Sequence, residues 1–308
     1  MNHSPSLVAP GCLPLKISLG ADSAAGFDTG VPVLAGPATE NLFGPAQPVG
    51  REGALALFRR DSWLLGGATL PLAGDLESAA RRLYSDLFQA TRGLHLARIW
   101  NYVPAINAPG AGGLENYRIF SRARSLAFEQ HHGPNFKQLL PAASAVGTHA
   151  AALTIAFAAS PHAPRHVENP LQVSAYDYPG EYGPRAPSFA RATLVPGPGP
   201  HTVFISGTAA IRGHATIAPH QLAPQLACTL ENLAEISRAC GLGPDLDRPG
   251  RSKRHFKVYL RHAGDQAAIA AGLEQRLLKP SDVVSYLRAD ICREPLLVEI
   301  EATLFGVS

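Results

Sequence analysis

The chain has 308 residues, of which 46% are apolar and 17% charged, with a formal net charge of +3. That composition supplies a sizeable core and excludes global disorder, while the mild charge and scattered Lys/Arg exclude a phosphate-tracking nucleic-acid binder. Four cysteines without a CxxC pair read as reduced thiols of a cytoplasmic protein, and no apolar run reaches the roughly 18 residues of a membrane span.

Residues 1–50 are rich in Gly, Pro and Ala, lack the basic start and apolar run of an export signal, and read as an irregular arm over the surface. A first unit, 51–160, opens with two strands, "ALALFRR" and "SWLLGGATL". Asp75 is placed to cap a helix over "DLESAARRLYSDLFQATRG", with Leu76, Ala80, Leu83 and Leu87 as its stripe and Gly93 as its stop. The strand "LHLARIWNYVP" follows. A second helix, "GLENYRIFSRARSLAFEQ", sets Tyr117, Phe120, Arg124 and Phe128 near one face, and "AAALTIAFAA" is a strand. On the opposite helix face Arg118 and Arg122 read as a solvated basic stripe.

The second unit, 161–308, begins with "LQVSAYDYP" and a Pro/Gly-rich loop, then repeats the order: strand "HTVFISGTAAI", helix "HQLAPQLACTLENLAEISRACG", strand "HFKVYLRHA". The helix "DQAAIAAGLEQRL", with Asp265 as cap, and the strands "DVVSYLRADI" and "LLVEIEATLF" complete it. The recurrence predicts an α+β fold of two pseudo-duplicated units, each a sheet with its helices on one face. The uncovered sheet faces must then meet, and a cleft forms where they do.

In the last strand Leu296, Val298, Ile300, Ala302 and Leu304 share one face, and Leu297, Glu299, Glu301 and Thr303 the other. The two carboxylates lie about 7 Å apart along the strand. Either this face is wet, or it lines a polar cavity in which burial raises a carboxyl pKa and makes a proton donor. The packing of two units favours the cavity. Glycine-rich "PGAGG" and "PGPGPH" lack the features of a P-loop or dinucleotide turn, and no Gly-x-Ser-x-Gly elbow occurs. The pairs His131–His132 and His214–His220 lack a third metal ligand at suitable spacing.

The C-terminal half resembles the RidA/YjgF family over "VFISGTAAI", "LACTLENLAEISRACGL", "FKVYLRHAGD" and "VEIEA", in that family's order and spacing. Those proteins are small α+β enzymes, related in fold to a trimeric chorismate mutase, that bind carboxylates at domain or subunit boundaries. Their carboxylate-gripping arginine ahead of the last strand has no counterpart here: counting back from Glu299 lands near Val284 to Tyr286. That departure argues against the family's imine hydrolysis.

A fuller resemblance, to the chorismatases, spans nearly the whole chain. It is carried by "RIWNYVPAIN", "GLENYRIFSRARSLAF", "QVSAYDYPGEYGPRAPSFARA", "FISGTAAIRGHA", "KVYLRHAGD" and the terminal "VEIEA". Chorismatases are two-domain relatives of RidA that remove pyruvate from chorismate. The resemblance implies two RidA/YjgF-like, chorismate-mutase-like domains and an active site in the C-terminal one, closed by the N-terminal half. It also implies chorismate as the small-molecule ligand and no metal or organic cofactor. The mild charge and the lack of a membrane-length apolar run lead us to expect no nucleic-acid or membrane partner, and the chain is expected to be a monomer or weak oligomer.

Chorismate is a dianion with a ring hydroxyl and an enol ether, and the resemblance assigns residues to each part. Arg124, Arg191 and Arg261 are the candidates to hold its carboxylates. On sequence alone Arg124 is equally a snorkelling helix residue, whereas Arg191 and Arg261 sit among apolar strand residues that disfavour an unpaired charge. Tyr117, Tyr176 and Tyr182 are candidate hydroxyl donors, or core and loop anchors. Ser206 and Gly207 offer backbone N–H groups at a strand end, or form an ordinary turn. Glu299 takes the role of general acid, with Glu301 as runner-up.

Cys292 matches the branch that lets the substrate's own hydroxyl act and aromatises the ring to 3-hydroxybenzoate. Ala210 matches the hydrolytic branch, which releases 3,4-dihydroxycyclohexa-1,5-diene carboxylate. The expected product is 3-hydroxybenzoate. A RidA-like imine deaminase and a non-catalytic aromatic-acid-binding protein stand as further alternatives.

Overall fold

Most elements form where local signals place them. Asp75 caps the helix α1 (Leu76–Ala90) by accepting from the backbone N–H groups of Glu77 and Ser78, and Leu76, Ala80, Leu83 and Leu87 are buried with Tyr84 and Phe88. Helices α2 (Asn116–His132), α3 (Leu222–Ala239) and α4 (Gln266–Arg276) follow. Asp265 does not cap α4: its backbone is already helical, in a 3-10 turn leading into the helix, and its side chain makes no capping bond. The computed structural model describes residues 12–20, 26–72, 75–197, 201–247 and 252–307.

The strands fall into two large sheets and one short hairpin. In chain order they are β1 (Pro14–Ser18), β2 (Gly26–Ala35), β3 (Thr39–Glu40), β4 (Gln47–Glu52), β5 (Leu55–Arg60) and β6 (Trp63–Pro71). Next come β7 (His95–Pro104), β8 (Ala142–Thr148), β9 (Ala152–Ser160), β10 (Arg165–Val167), β11 (Ala192–Val195) and β12 (His201–Ala209). Last are β13 (Ile211–Arg212), β14 (Ala215–Thr216), β15 (Lys253–Leu260), β16 (Val283–Arg288) and β17 (Val298–Val307). One sheet has the order β4-β5-β6-β9-β7-β8, and the other β10-β11-β12-β17-β15-β16-β2-β1-β3.

Residues 12–20 and 26–50 are therefore not the irregular arm that their composition suggests. β2 pairs with β16 through Tyr286–Ala35 and Leu287–Val33, carrying β1 and β3 onto the edge of the C-terminal sheet, while β4 joins the N-terminal one. Leu15, Ile17 and Val31 are buried between the sheets, and that burial repays the ordering of a Gly/Pro-rich chain. Residues 1–11 and 21–25 lie outside the described residues.

Three apolar layers result. Helices α1 and α2 pack on the six-stranded sheet around Leu83, Phe120, Phe128 and Phe157. Helices α3 and α4 pack on the nine-stranded sheet around Leu233, Leu273, Val258 and Ile300. Between the sheets lies a middle core with Leu65, Trp100, Tyr102, Phe204 and Tyr259. The expected α+β class, two sheet-plus-helices units meeting by their bare faces, is what the chain adopts.

Strand β17 alternates as read: Val298, Ile300, Ala302 and Leu304 enter the helix-side core, and Glu299 and Glu301 face the other sheet. Buried Glu301 pairs with Arg98 of β7 at 2.7 Å and Lys257 of β15 at 3.0 Å, and accepts from Trp100 Nε1 at 2.8 Å. Lys257 also pairs with Glu40 at 2.7 Å. Charges buried this deeply are tolerable only because each is matched, and the match fixes the register of one sheet on the other. Among the described residues no helix is long and apolar enough to cross a membrane.

Candidate active site

A cavity opens where α2, the edge strand β8 and the C-terminal sheet converge. Tyr117, Phe120, Ser121 and Arg124, at i, i+3, i+4 and i+7, present one face of α2 to it. The connection from β10 to β11 closes the mouth with Tyr178, Tyr182, Ser188 and Phe189 and ends at Arg191. The floor is Gly207, Ala209 and Glu299, with Cys292 and Arg293 arriving from the segment before β17.

Glu299 is buried, and burial pushes its carboxyl up to about 8; the negative charge of Glu301 adds to the rise, against Arg98 and Arg191. Glu301 has the opposite fate. Burial alone would raise it, but Lys257 and Arg98 hold it below the ordinary carboxylate value. The two acids of β17 thus divide into a neutral one facing the cavity and an ionised one locked between the sheets. Cys292 Sγ lies 4.0 Å from Glu299 Oε2, and burial, reinforced by Glu299, pushes the thiol up to about 12. Gly207 makes the geometry possible, because a Cβ there would stand 2.0 Å from Glu299 Oε1.

Three guanidinium groups line the same cavity with donors to spare. Arg124 is 3% exposed and lies over the rings of Tyr84 and Phe128, 5.5 and 5.8 Å from their centroids; its buried Nε and Nη2 have no partner. Arg191 donates from Nη2 to Tyr178 Oη at 2.8 Å and Val173 O at 3.1 Å, leaving Nε unpaired. Arg293 stacks 4.0 Å from the Tyr182 ring centroid and donates to His214 O at 2.7 Å, leaving Nη2 unpaired. Among the described residues eight buried side-chain polar atoms lack a partner, and five of them line this cavity: those four nitrogens and Ser188 Oγ. Unpaired buried donors are costly, so their convergence is the mark of a site shaped for a small, multiply charged anion.

The sequence-derived site is largely assembled here. Glu299, Cys292, Tyr117, Arg124, Tyr182, Arg191 and Gly207 all line the cavity. Four candidates do not. Tyr176 packs beside the N-terminal core under Lys137, 5.8 Å from its ring. Ser206 lies with Gly207 inside β12 rather than at a strand end. Its backbone N–H, the expected anion donor, is taken by Arg191 O at 2.9 Å, and its hydroxyl donates to Ala190 O at 2.6 Å and accepts from Ala143 N at 2.8 Å. Ala210 is buried in an apolar cluster with Cys228, Ile291 and Leu296, one residue from the lining on either side. Arg261 turns its guanidinium away, onto carbonyls of the segment before β17.

Arg118 and Arg122 are no solvated stripe either. Arg118 lines the rim beside Glu115, and Arg122 ties α2 to α1 through Glu77 at 2.6 Å. Sequence reasoning missed Arg293, Tyr178, Ser188 and Phe189. Each adjoins a residue or motif already singled out: Arg293 follows Cys292, and Ser188 and Phe189 belong to "PSFARA". Among the described residues no cluster of three or more His, Cys, Asp or Glu side chains could hold a metal ion.

The family described as "Chorismatase FkbO/Hyg5-like, N-terminal" matches residues 44–159. A chorismatase of Streptomyces hygroscopicus is 37% identical over 259 residues, covering 82% of this chain and 74% of that protein. A 3-hydroxybenzoate synthase of the same organism is 36% identical over 249 residues, covering 76% of this chain and 72% of its own length. A crystal structure of a chorismatase superposes with a TM-score of 0.78 at 31% identity, covering 98% of this chain and 96% of that one.

Proposed function

The chain belongs to the chorismatase family of enzymes, and from that premise we propose that it cleaves the enolpyruvyl ether of chorismate with Glu299 as general acid, giving pyruvate and 3-hydroxybenzoate. The observation that carries this reading is a neutral, buried carboxyl in a cavity lined by three guanidinium groups, each of which keeps at least one buried N–H group without a protein partner. Bare anion binding gains nothing from a carboxyl at that position; proton delivery requires one that stays protonated near neutral pH. We read 51–160 as the N-terminal domain and 161–308, with the strands before residue 41 added to its sheet, as the C-terminal domain that carries the acid.

In the proposed step Arg124, Arg191 and Arg293 neutralise the two substrate carboxylates and fix the enol ether against Glu299. The carboxyl proton adds to the terminal methylene carbon, the vinyl electron pair forms the new C–H bond, and an oxocarbenium ion results. The Glu299 carboxylate left behind opposes that cation at close range, in a site that excludes bulk water. The substrate's own hydroxyl oxygen then bonds to the neighbouring ring carbon that carries the ether as that ring carbon–oxygen bond breaks. The electron pair of the broken bond forms the ketone of pyruvate, and the hydroxyl proton returns to Glu299. The resulting epoxide opens, its oxygen takes up a proton, and the ring aromatises by losing a C–H proton. One chorismate becomes one pyruvate and one 3-hydroxybenzoate, with no water consumed. Cys292, neutral and beside the acid, supports this branch over hydrolysis, since a thiol is a poor partner for an attacking water.

Incubation with chorismate, with pyruvate quantified and the ring product identified by mass spectrometry, tests the reading. Equimolar pyruvate and 3-hydroxybenzoate are expected. A dihydroxydiene carboxylate would assign the hydrolytic branch favoured by Ala210. Intact chorismate would overturn the proposal, and turnover of 2-aminoacrylate in its place would indicate a RidA-like deaminase.

A further inference from the structure

Arg261 stands at the end of β15 and never reaches the cavity, yet its bonds converge on the segment that does. Nε donates to Leu296 O at 2.7 Å, Nη2 to Ile291 O and Arg293 O at 3.1 Å each, and Nη1 to Asp290 Oδ1 at 3.1 Å. These acceptors bracket Cys292 and Arg293 on both sides. The segment 289–297 is neither helix nor strand, so its shape must be imposed from outside.

Part of that imposition comes from the other half of the molecule. Arg261 Nη2 also donates to Asn107 Oδ1 at 3.2 Å, and Asn107 Nδ2 donates to Glu115 Oε1 at 3.0 Å, at the rim of the cavity. The Gly147 N–H donates to Asp290 O at 2.7 Å, at an approach so close that a Cβ on Gly147 would lie 2.8 Å from Asp290 Cβ. Asn107 and Gly147 belong to the N-terminal unit; the segment they hold belongs to the C-terminal one.

We infer that Arg261 is a positioning residue which, through Asn107, uses the N-terminal unit to fix Arg293 and Cys292 in the cavity. A single buried guanidinium holding three carbonyls and a carboxylate is a charge-assisted clamp, stronger and more directional than neutral bonds. The inference rests on the reading of the cavity as an anion site, because Arg293 is the group through which the clamp is felt by a ligand.

Two measurements test it independently of turnover. Hydrogen exchange on the ligand-free protein should show Asn107→Ala and Arg261→Met speeding exchange in 290–296 by about tenfold, with β15 and β17 unchanged. Unchanged exchange in that segment overturns the inference. Calorimetry with 3-hydroxybenzoate then closes a double-mutant cycle: Arg261→Met weakens binding about tenfold and Asn107→Ala about threefold, and both effects shrink to within about twofold when Arg293 is already Met. Equal penalties in the two backgrounds, or none in either, overturn it. If Arg261→Met does not fold, the Asn107→Ala arm decides alone. A wild-type protein that leaves chorismate intact refutes the proposed reaction, while the exchange data still decide the clamp.

Discussion

Replacing Glu299 by Gln keeps the side chain's size, its slot against Gly207 and its approach to Cys292, and removes only the titratable proton. Raising a carboxyl from 4.5 to about 8 expresses a preference for the neutral form on the order of 5 kcal/mol. In the unfolded chain this group loses its proton near the ordinary value, and in the folded protein only near 8. Between those values folding takes up a proton, so the favourable contribution is full below the unfolded pKa, declines as pH rises and is gone above the folded one. The Gln variant has no such slope. It should match the wild type in stability near about pH 5 and exceed it by several kcal/mol near about pH 9. Turnover should fall by about 10³, and the loss of wild-type activity above pH 8 should have no counterpart in the residual rate. Pyruvate release and denaturant melts across that range read both effects. Near-normal turnover in a natively folded Gln variant, or a wild-type-minus-variant stability difference that is flat with pH, would refute the reasoning.

Gly207→Ala drives a methyl into the Glu299 carboxyl, 2.0 Å from Oε1, and should lower kcat/KM by about 10² while leaving the melting temperature within a few degrees; kinetics beside a thermal melt decide. Arg124→Met removes a buried cation with no carboxylate partner, so the melting temperature should hold or rise while KM for chorismate increases by at least about tenfold. A lower melting temperature with unchanged KM would make Arg124 a structural residue. Glu301→Gln leaves buried Arg98 without a carboxylate and Lys257 with Glu40 alone, and should cost about 3–5 kcal/mol in a denaturant melt. Because Glu301 is held below its ordinary value, its contribution is present above the unfolded carboxylate pKa and is lost as pH falls through the folded one, opposite in sign to Glu299.

Local pattern carried much of this molecule. The cap and stripe of α1, the alternation of β17 and the α2 spacing that sets Arg124 one turn from Phe120 are properties of short segments, and they can be read from those segments. β1 and β2 escape such a reading although Leu15 and Ile17, and Thr29 and Val31, alternate: the alternation is short and set among Gly and Pro, and β16, the strand that ties β2 to the sheet, lies some 250 positions onward. The site shows the same divide. Alternation shows that Glu299 and Glu301 share a face, but only packing against Arg98 and Lys257 makes one of them an ion and leaves the other a neutral acid. Arg261 and Arg293 exchanged roles for a like reason: an arginine on an apolar strand promises a partner, and sequence does not say whether that partner is a ligand or the carbonyls of a nearby loop.

A carboxyl that remains neutral in a cavity lined by arginines can be observed without any reaction. Proteins labelled with 13C at glutamate Cδ, wild type and Glu299→Gln, are titrated by NMR through the neutral and mildly alkaline range. One wild-type resonance should titrate near pH 8 and be missing from the variant. A spectrum in which every resonance absent from the variant has already ionised at the ordinary carboxylate pKa would contradict the account.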